Sequence, residues 1–237
     1  MQREFINIAS HEMKTPTQAI LGTSGLLKYY PERRDELIDI IQRNAKRLQT
    51  LISNILDVTR IESQTLILYK ERFDICNLVS SVLEDYKDKV KDSNIQLINK
   101  NNNNPIFVEA DRDRITQVLS NLLSNAIKFT NQGEISINTF EKIQDKGDKK
   151  EVLVSVTDTG SGINSEIFGR LFSKFASKSY QGTGLGLFIC KGIIQAHGGR
   201  IWAENNNNIN GDGDKSSGGA TVTFSLPTAA TTVDGDN

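Results

Sequence analysis

The most reactive pair of neighbouring side chains in the sequence is His11 followed by Glu12. An imidazole nitrogen is a nucleophile near neutral pH, and an adjacent carboxylate can accept the proton of the other ring nitrogen. At about 100° per helical residue, His11 lies about 140° from Ile6, so its ring is predicted to face water. Thr15 follows one turn later on the same face, within reach of any group that His11 carries. The alternative is an ordinary surface histidine beside an ordinary surface glutamate.

A second stretch, residues 121–129, places two carboxamides and a lysine on one predicted helix. Asn121 and Asn125 are separated by one helical turn, and Lys128 follows Asn125 by nearly another, so the three side chains share a face. A carboxamide oxygen is a hard ligand suited to Mg²⁺, and a lysine one turn further on can meet phosphate oxygens. The alternative is the polar face of an ordinary amphipathic helix.

Two glycine-rich stretches come later in the chain. Residues 158–163 read DTGSGI at the end of a predicted strand, where an aspartate can accept a hydrogen bond and glycines let the backbone approach a flat ligand. Residues 182–187 read GTGLGL and lead into a predicted helix, whose first N–H groups can meet phosphates. This loop is neither a Walker A loop nor a Rossmann fingerprint. The preceding segment carries Lys174 and Lys178, as a mobile lid over phosphates would, and a flexible surface loop is the alternative.

The composition excludes several classes of protein. With 237 residues and 37% hydrophobic side chains, the chain can bury a core in one or two domains. Its net charge of -1 lacks the basic excess of a nucleic-acid-binding or membrane-surface protein. Cys76 and Cys190 lie far apart, which excludes a disulfide framework and a structural zinc site and indicates a reducing compartment. Without a membrane-length apolar run or a signal peptide, we expect a cytoplasmic chain with no membrane segment and no nucleic-acid partner, and whether it is the intracellular part of a membrane-bound protein stays open.

The first sixty or so residues have the periodicity of two packed helices. Apolar side chains recur every seven residues in two runs separated by Pro31, namely Ile6, Met13, Ile20 and Leu27 and then Ile41, Leu48 and Ile55. This is an a/d seam, and the short connection predicts an antiparallel hairpin. A lone hairpin has one buried seam, so we expect two copies to form a four-helix bundle in a homodimer. The pattern begins without a helix cap, so we expect the helix to continue upstream in a longer parent protein.

From about Tyr69 the sequence alternates between strand and helix patterns, which predicts an α+β sandwich of antiparallel strands and helices. The predicted helices are Leu78–Val90 and Arg112–Phe129, and the predicted strands are Glu134–Phe140, Val152–Thr157, Ile201–Glu204 and Ala220–Leu226, with a charged loop over 141–151. Two asparagine-rich stretches, 101–104 and 205–208, are predicted to be polar turns or loops. The tail after Pro227 is predicted to be disordered.

In their order and spacing these motifs resemble the catalytic core of the sensor histidine kinases of two-component signalling. The sequence HEMKTP resembles the H box, NLLSNAIKFT the N box, DTGSGI the first G box, LFSKF the F box with Phe172 and Phe175, GTGLGL the second G box and GGATVTFSLP the closing strand. The resemblance runs from about Phe5 to Pro227. Any one of these motifs alone is a weak signal, whereas together and in this order they are specific.

That resemblance implies an α+β fold in which a helical hairpin, forming a dimeric four-helix bundle, precedes an α/β sandwich of the Bergerat type that binds ATP. Residues 1–65 would be the dimerisation and histidine phosphoacceptor domain, 66–228 the catalytic ATP-binding domain and 229–237 a disordered tail. The implied cofactors are ATP and Mg²⁺. The implied activity is autophosphorylation of His11, phosphoryl transfer to an aspartate in the receiver domain of a separate response regulator, and phosphatase activity toward that regulator.

The resemblance also implies roles for single residues. His11 would be phosphorylated on nitrogen with Glu12 as the general base, and Thr15 would orient water in the phosphatase reaction. Asn125 would hold Mg²⁺ against the ATP phosphates, helped by Asn121. The other implied nucleotide contacts are Lys128 on phosphate, Phe129 near the nucleotide, Asp158 on the adenine amino group, Gly160 and Gly162 in its pocket, and Gly182, Thr183, Gly184, Leu185 and Gly186 at the lid hinge and the phosphates. Which of Lys174 and Lys178 meets the γ-phosphate stays open.

Other functions compete with this one. The ATP-binding motifs also resemble those of gyrase-type and chaperone-type ATPases, but such clamps would not explain a helical hairpin with HExxT ahead of the ATP-binding motifs. A degenerate protein that only dimerises and binds ATP is disfavoured because His11, Asn125 and Asp158 are all present. A related protein-serine kinase would not need an exposed histidine–glutamate pair on a dimer helix.

Overall fold

A computed structural model describes residues 2–101, 104–143, 150–176, 184–207 and 217–228. The chain divides into two compact units. The first runs to Leu66 and also includes the described residues 184–186, and the second comprises the other described residues from Ile67 onward. Among the helices in these ranges, none combines the length and the hydropathy that crossing a membrane requires.

The first unit is a helical hairpin, as its periodicity predicts. Helix α1 spans Gln2–Leu26 and helix α2 spans Arg34–Glu62. A single 3₁₀ turn, Pro31–Arg33, leads into α2, where the missing N–H of Pro31 removes no helical hydrogen bond. The hairpin buries few apolar side chains, among them Leu37, Leu51 and Val58. Large apolar side chains remain exposed on both helices, namely Ile6, Leu21, Leu26, Ile52 and Leu56.

The second unit is an α/β domain. Its elements are β1 Glu71–Asp74, α3 Ile75–Val90, β2 Asn94–Asn99, β3 Phe107–Ala110, α4 Arg112–Phe129, β4 Gln132–Ile143, β5 Lys150–Asp158, α5 Ser165–Phe168, α6 Gly186–Ala196, β6 Ile201–Asn207 and β7 Ser217–Pro227. Strands β1 and β3 form a small antiparallel sheet. The main sheet has the order β2-β4-β5-β7-β6, in which β2 pairs with β4 in parallel and the other neighbours are antiparallel.

The core of this unit lies between the sheet and its long helices. Helices α3 and α4 contact β4, and α4 also contacts β5. The largest fully buried side chains come from both layers, and they include Ile115, Leu119, Leu123, Ile135, Ile137, Ile193 and Phe224. The predicted order of a helical region followed by an α/β sheet domain is therefore confirmed, and α4 has the predicted bounds.

Several local predictions were wrong. Residues 205–207 extend β6, with Asn205 and Asn207 pairing with β7 on either side of an irregularity, although the asparagine run was predicted to be a turn or loop. The charged segment 141–151 was also predicted to be a loop, but β4 continues to Ile143 and β5 begins at Lys150. In both cases hydrogen bonds to a neighbouring strand stabilise residues with a low intrinsic preference for strands. The parallel pairing of β2 with β4 was not predicted. The predicted disordered tail, 229–237, lies outside the described residues.

Candidate functional site

Helix α4, which carries the paired asparagines, is fixed at its start by Asp111. The Oδ1 atom of Asp111 accepts a hydrogen bond from the Arg114 backbone N–H at 3.1 Å, and Oδ2 accepts one from the Tyr69 backbone N–H at 2.9 Å. The Asp111 backbone N–H donates to Nε2 of His197 at 2.9 Å. A capped and anchored helix holds the side chains along it at fixed positions.

Asn121, Asn125 and Lys128 lie along the half-buried face of α4. Burial lowers the pKa of Lys128, whose Nζ lies 5.1 Å from the ring centroid of Phe129. Below this face, burial raises the pKa of the Cys190 thiol to about 12, and a hydrogen bond with Asn121 opposes that rise. Two carboxamides and a lysine on one face can supply oxygen ligands to Mg²⁺ and a positive charge to phosphates.

Asp158 lies at the end of β5 with its carboxylate buried. Its Oδ1 atom accepts hydrogen bonds from the backbone N–H groups of Gly160 at 2.9 Å and Ala220 at 3.2 Å. Burial raises the pKa of Asp158, and these two hydrogen bonds oppose the rise. Within the described ranges no group donates to Oδ2, which leaves this oxygen to accept a hydrogen bond from a ligand.

The Asp158 loop and the end of α4 are in direct contact. The Ser161 backbone N–H donates to the Phe129 carbonyl oxygen at 3.2 Å, and a Cβ on Gly160 would collide with the same carbonyl group. The hydroxyl of Thr130, the next residue, is buried without a hydrogen-bond partner among the described residues. The structure therefore brings together residues of the predicted N box and first G box, and the buried carboxylate, the closely packed backbone and the unpaired hydroxyl suit a flat polar ligand such as a nucleotide base.

Part of the predicted glycine-rich loop is described. Gly184 has φ of 65°, in the left-handed region that favours glycine, Leu185 is buried, and Gly186 begins α6. The free N–H groups at a helix start can bind phosphate oxygens. Lys174 has its Nζ 5.6 Å from the ring centroid of Phe188 on α6. Lys178, Gly182 and Thr183 lie outside the described residues.

The predicted phosphoacceptor residues lie on α1 of the other unit. His11 is exposed, as predicted, and Thr15 is exposed one turn later. The Thr15 hydroxyl donates to the His11 carbonyl oxygen at 3.4 Å. The carboxylate of Glu12 does not bond to the His11 ring among the described contacts; its Oε2 atom lies 3.4 Å from Nη2 of Arg47 on α2.

The sequence-based reasoning missed several residues that hold these groups in place. Arg47 was missed because its partner is distant in sequence and only the hairpin brings them together. Asp111 and His197 were not considered, although an aspartate directly before a helical pattern is a capping signal. Asn205 and Asn206 were dismissed with the asparagine run, yet both side chains bond to the Asp158 loop.

The structure thus has a helical hairpin that exposes His11 and an α/β domain whose Asp158 loop and helix α4 suit a nucleotide. Residues 1–64 match the family described as "His Kinase A (phospho-acceptor) domain". Residues 110–230 match the family described as "Histidine kinase-, DNA gyrase B-, and HSP90-like ATPase". The chain belongs to the histidine kinases, as the catalytic core of a sensor kinase of this family.

Individual relatives agree with this assignment. The circadian input-output histidine kinase CikA of Synechococcus elongatus is 35% identical over 216 residues, which cover 85% of this chain and 28% of CikA. The structure of full-length ShkA in complex with AMPPNP is 27% identical with a TM-score of 0.69, covering 95% of this chain and 46% of that one. The structure of the histidine kinase ThkA in complex with the response regulator protein TrrA is 31% identical with a TM-score of 0.69, covering 95% and 61%. The chain spans only part of its curated relatives, for example 36% of the sensor histidine kinase WalK of Bacillus subtilis and 11% of the hybrid signal transduction histidine kinase B of Dictyostelium discoideum.

Proposed function

We propose that this chain binds ATP with Mg²⁺ in its α/β unit and transfers the γ-phosphoryl group to His11 of the hairpin. The observation that carries the proposal is the Asp158 loop packed against the end of α4, which joins a buried hydrogen-bond acceptor to a face bearing Asn121, Asn125 and Lys128. An exposed histidine on a separate helix supplies the acceptor. In this proposal residues 1–65 form the phosphoacceptor and dimerisation domain and residues 66–228 the catalytic domain.

Different residues of the α/β unit contact different parts of the nucleotide. Asp158 accepts a hydrogen bond from the adenine amino group, and Gly160 and Gly162 let the backbone approach the base. Asn125, helped by Asn121, holds Mg²⁺, which when bound neutralises phosphate charge. Lys128 contacts a phosphate oxygen, and Phe129 borders the nucleotide. The glycine-rich loop, residues 182–186, and either Lys174 or Lys178 border the phosphates.

The chemical step needs a free imidazole nitrogen on His11. That nitrogen attacks the γ-phosphorus, so that an N–P bond forms while the bond from phosphorus to the bridging oxygen breaks and ADP leaves with the electron pair. The proton of the ring's other nitrogen passes to the Glu12 carboxylate, which acts as the general base. The Oε2 atom of Glu12 pairs with Nη2 of Arg47 at 3.4 Å, so this carboxylate has a partner on α2 as well.

The nucleotide half of the proposal is tested by labelling the full chain with Mg²⁺ and either γ-labelled or α-labelled ATP. We expect label from γ-labelled ATP only, stable in base and labile in acid, as a phosphoramidate is. Asp158→Ala and Asn125→Ala should each reduce labelling by at least about 100-fold, because they remove base recognition and metal binding. Asn138→Ala, an exposed asparagine on β4, is the matched control and should label like the native chain. Equal labelling by all of these variants would contradict the assignment.

We further propose that phosphorylated His11 passes its phosphoryl group to an aspartate in the receiver domain of a response regulator. The relative ThkA forms a complex with such a regulator, the protein TrrA, which supports a partner of the same class for this chain. The test adds purified receiver domains from the same organism to the labelled chain. Loss of label from the chain with matching gain on one receiver domain supports the transfer, provided that replacing the acceptor aspartate by asparagine abolishes the gain.

We also propose that the chain has phosphatase activity toward the regulator. Thr15 is exposed one turn after His11 and would orient the attacking water. Thr17 provides a matched control, because it is also exposed on α1 and its hydroxyl makes the same type of helical bond, to the Met13 carbonyl oxygen at 2.8 Å. We expect Thr15→Ala to slow dephosphorylation of the regulator by at least about tenfold while Thr17→Ala leaves it unchanged. Full phosphatase rates in Thr15→Ala would contradict this role.

We also propose that two copies of the chain form a homodimer through the hairpin. The apolar side chains that α1 and α2 leave exposed, such as Leu21 and Leu56, would be buried in a four-helix bundle formed by two copies.

A further inference from the structure

The side chain of Asn205, on β6, binds both backbone groups of one residue in the Asp158 loop. Its Oδ1 atom accepts a hydrogen bond from the Ile163 N–H at 2.6 Å, and its Nδ2 donates to the Ile163 carbonyl oxygen at 2.9 Å. One side chain therefore satisfies both backbone hydrogen-bonding groups of Ile163, as a paired strand would in a sheet. A carboxamide is the only uncharged side-chain group that offers an acceptor and a donor in this arrangement.

Asn206 holds the other end of the same loop. Its Nδ2 donates to the Asp158 carbonyl oxygen at 3.0 Å and to the Gly218 carbonyl oxygen at 3.4 Å. Its Oδ1 accepts a hydrogen bond from the Thr221 hydroxyl at 2.7 Å, which fixes the orientation of the carboxamide. The backbone of the residue that bears the buried carboxylate is thus tied to β6 and β7.

Two glycines, one in the loop and one on β7, lie where the backbone approaches its surroundings closely. Gly162 has φ of 71°, and a Cβ on it would lie 3.1 Å from Oδ1 of Asn205. Gly219 has φ of 90°, and a Cβ on it would collide with the Asp158 carbonyl oxygen. The backbone is therefore closely packed at Gly162, which lies beside Asn205, and at the Asp158 carbonyl group, which both Gly219 and Asn206 approach.

We propose that Asn205 and Asn206 are positioning residues for recognition of the nucleotide base, which they promote by fixing the loop 158–163 at its two ends. This inference rests on the proposed function, because it assumes that the loop contacts the base of ATP. Among the described residues, Asn205 bonds to the loop backbone, and Asn206 bonds to the loop backbone and to Gly218 and Thr221 of β7. We therefore expect both to act on base binding and to leave the phosphates and the acceptor histidine to other residues.

The proposal predicts a specific pattern of loss. Replacing either asparagine by alanine should raise the Kd of ATP by about tenfold, which is the size of effect expected from the loss of one or two net hydrogen bonds. Because the phosphates are held elsewhere, the labelling rate at saturating ATP should stay within about twofold of the native rate. Tripolyphosphate, which lacks the base, should compete for the phosphate subsite equally well in native and variant chains.

The experiment measures ATP affinity, tripolyphosphate competition, labelling rate at saturating ATP and the unfolding midpoint of the nucleotide-free full chain. The variants are Asn205→Ala, Asn206→Ala and the nearly isosteric Asn205→Asp, which keeps an acceptor for the Ile163 N–H but cannot donate to its carbonyl oxygen. Asn205→Asp should bind ATP more weakly than the native chain and more tightly than Asn205→Ala. Asn138→Ala, an exposed asparagine on β4, is the matched control and should resemble the native chain in all four measurements.

Asn206 allows a second, independent measurement. Thr221→Val removes the hydroxyl that orients its carboxamide, so the effects of Asn206→Ala and Thr221→Val on ATP affinity should be less than additive in the double variant. Additive effects would overturn the role of Asn206.

The remaining outcomes separate this inference from the function on which it rests. A native chain that binds no ATP and accepts no label overturns both. A native chain that binds and labels, with variants of unchanged ATP affinity, overturns the positioning role alone. Equal losses for ATP and tripolyphosphate, together with a lower unfolding midpoint, would mean that the asparagines only stabilise the fold, and would also overturn it.

Discussion

His11 and Thr15 are exposed on α1, whereas Asp158 is buried and is bonded to its surroundings by both its side chain and its carbonyl oxygen. The difference fits two kinds of task. An acceptor that must meet a nucleotide and then a partner protein has to remain accessible, whereas a site that recognises one base gains affinity from groups fixed in advance. We therefore expect the α/β unit to be sensitive to small changes and the hairpin surface to tolerate them.

The two units also differ in how completely they bury their apolar side chains. The α/β unit has a continuous core that includes Leu119, Leu123 and Phe224, each fully buried. In the hairpin, Leu21 is 66% exposed and Leu56 is 52% exposed. A hairpin with such side chains in water has gained only part of the hydrophobic stabilisation that its sequence offers.

Replacing a glycine by alanine should have opposite effects on the stability of the two units. Gly219→Ala should destabilise the α/β unit by about 2–5 kcal/mol and abolish measurable ATP binding, because the new Cβ collides with the Asp158 carbonyl group at a left-handed φ. Gly22→Ala, in α1, meets no atom within 4 Å and should stabilise the hairpin by about 0.5–1 kcal/mol. Denaturant unfolding and ATP titration of the two variants test this, and similar small effects in both would remove the distinction between the units.

Leu56→Asp should break the proposed dimer. Two copies of this side chain leave water when the bundle forms, so losing both should cost about 3 kcal/mol and weaken dimerisation by about 100-fold or more. Sedimentation of the full chain at several concentrations measures the change. Phe140→Asp, which alters a 40% exposed apolar side chain of the α/β unit, is the control and should leave the mass unchanged. A native chain that sediments as a monomer at all concentrations would contradict the account.

The stability of the α/β unit should fall in mild acid because of His197. Burial, with a smaller effect of Lys70, lowers the pKa of this ring from 6.5, against the opposing effects of the Ile193 carbonyl and Asp111. As pH falls below about 6.5, the unfolded chain binds a proton that the folded chain excludes, so stability declines until the lower folded-state pKa is reached, and it is unaffected above this range. Protonation would also oppose the hydrogen bond from the Asp111 N–H to Nε2. Unfolding midpoints should therefore depend less on pH in His197→Gln, and an identical dependence in both chains would contradict this assignment.

Arg47→Ala should have the smallest effect on stability. Its pair with Glu12 is partly exposed, with 44% and 28% of the two side chains accessible, so the free energy of unfolding should change by less than about 1 kcal/mol. Arg33→Ala, which breaks the exposed pair with Glu36 at 2.8 Å, is the matched control on the same hairpin and should change it as little. A loss of more than about 2 kcal/mol in Arg47→Ala alone would mean that the surface of the hairpin is not tolerant.

The sequence predicted the elements that depend on local signals. Helix α4 has its predicted bounds because its apolar residues recur at helical spacing, and the structure adds the Asp111 cap, which the prediction did not use. The sequence could not predict contacts that form only when distant segments of the chain come together. The Glu12–Arg47 pair joins two helices, and the strand residues Asn205 and Asn206 depend on pairing with β7. Asparagine has a low intrinsic preference for strands, so the run at this position indicated a loop. The roles assigned to the site residues remain predictions.

The central claim is that the nucleotide site and the phosphoryl acceptor are separate, with His11 as the acceptor. The most direct test incubates the native chain and His11→Gln with Mg²⁺ and γ-labelled ATP and measures nucleotide binding in parallel. We expect acid-labile, base-stable label on the native chain and none on His11→Gln, with equal ATP affinity in the two. Label that persists on His11→Gln would contradict the claim.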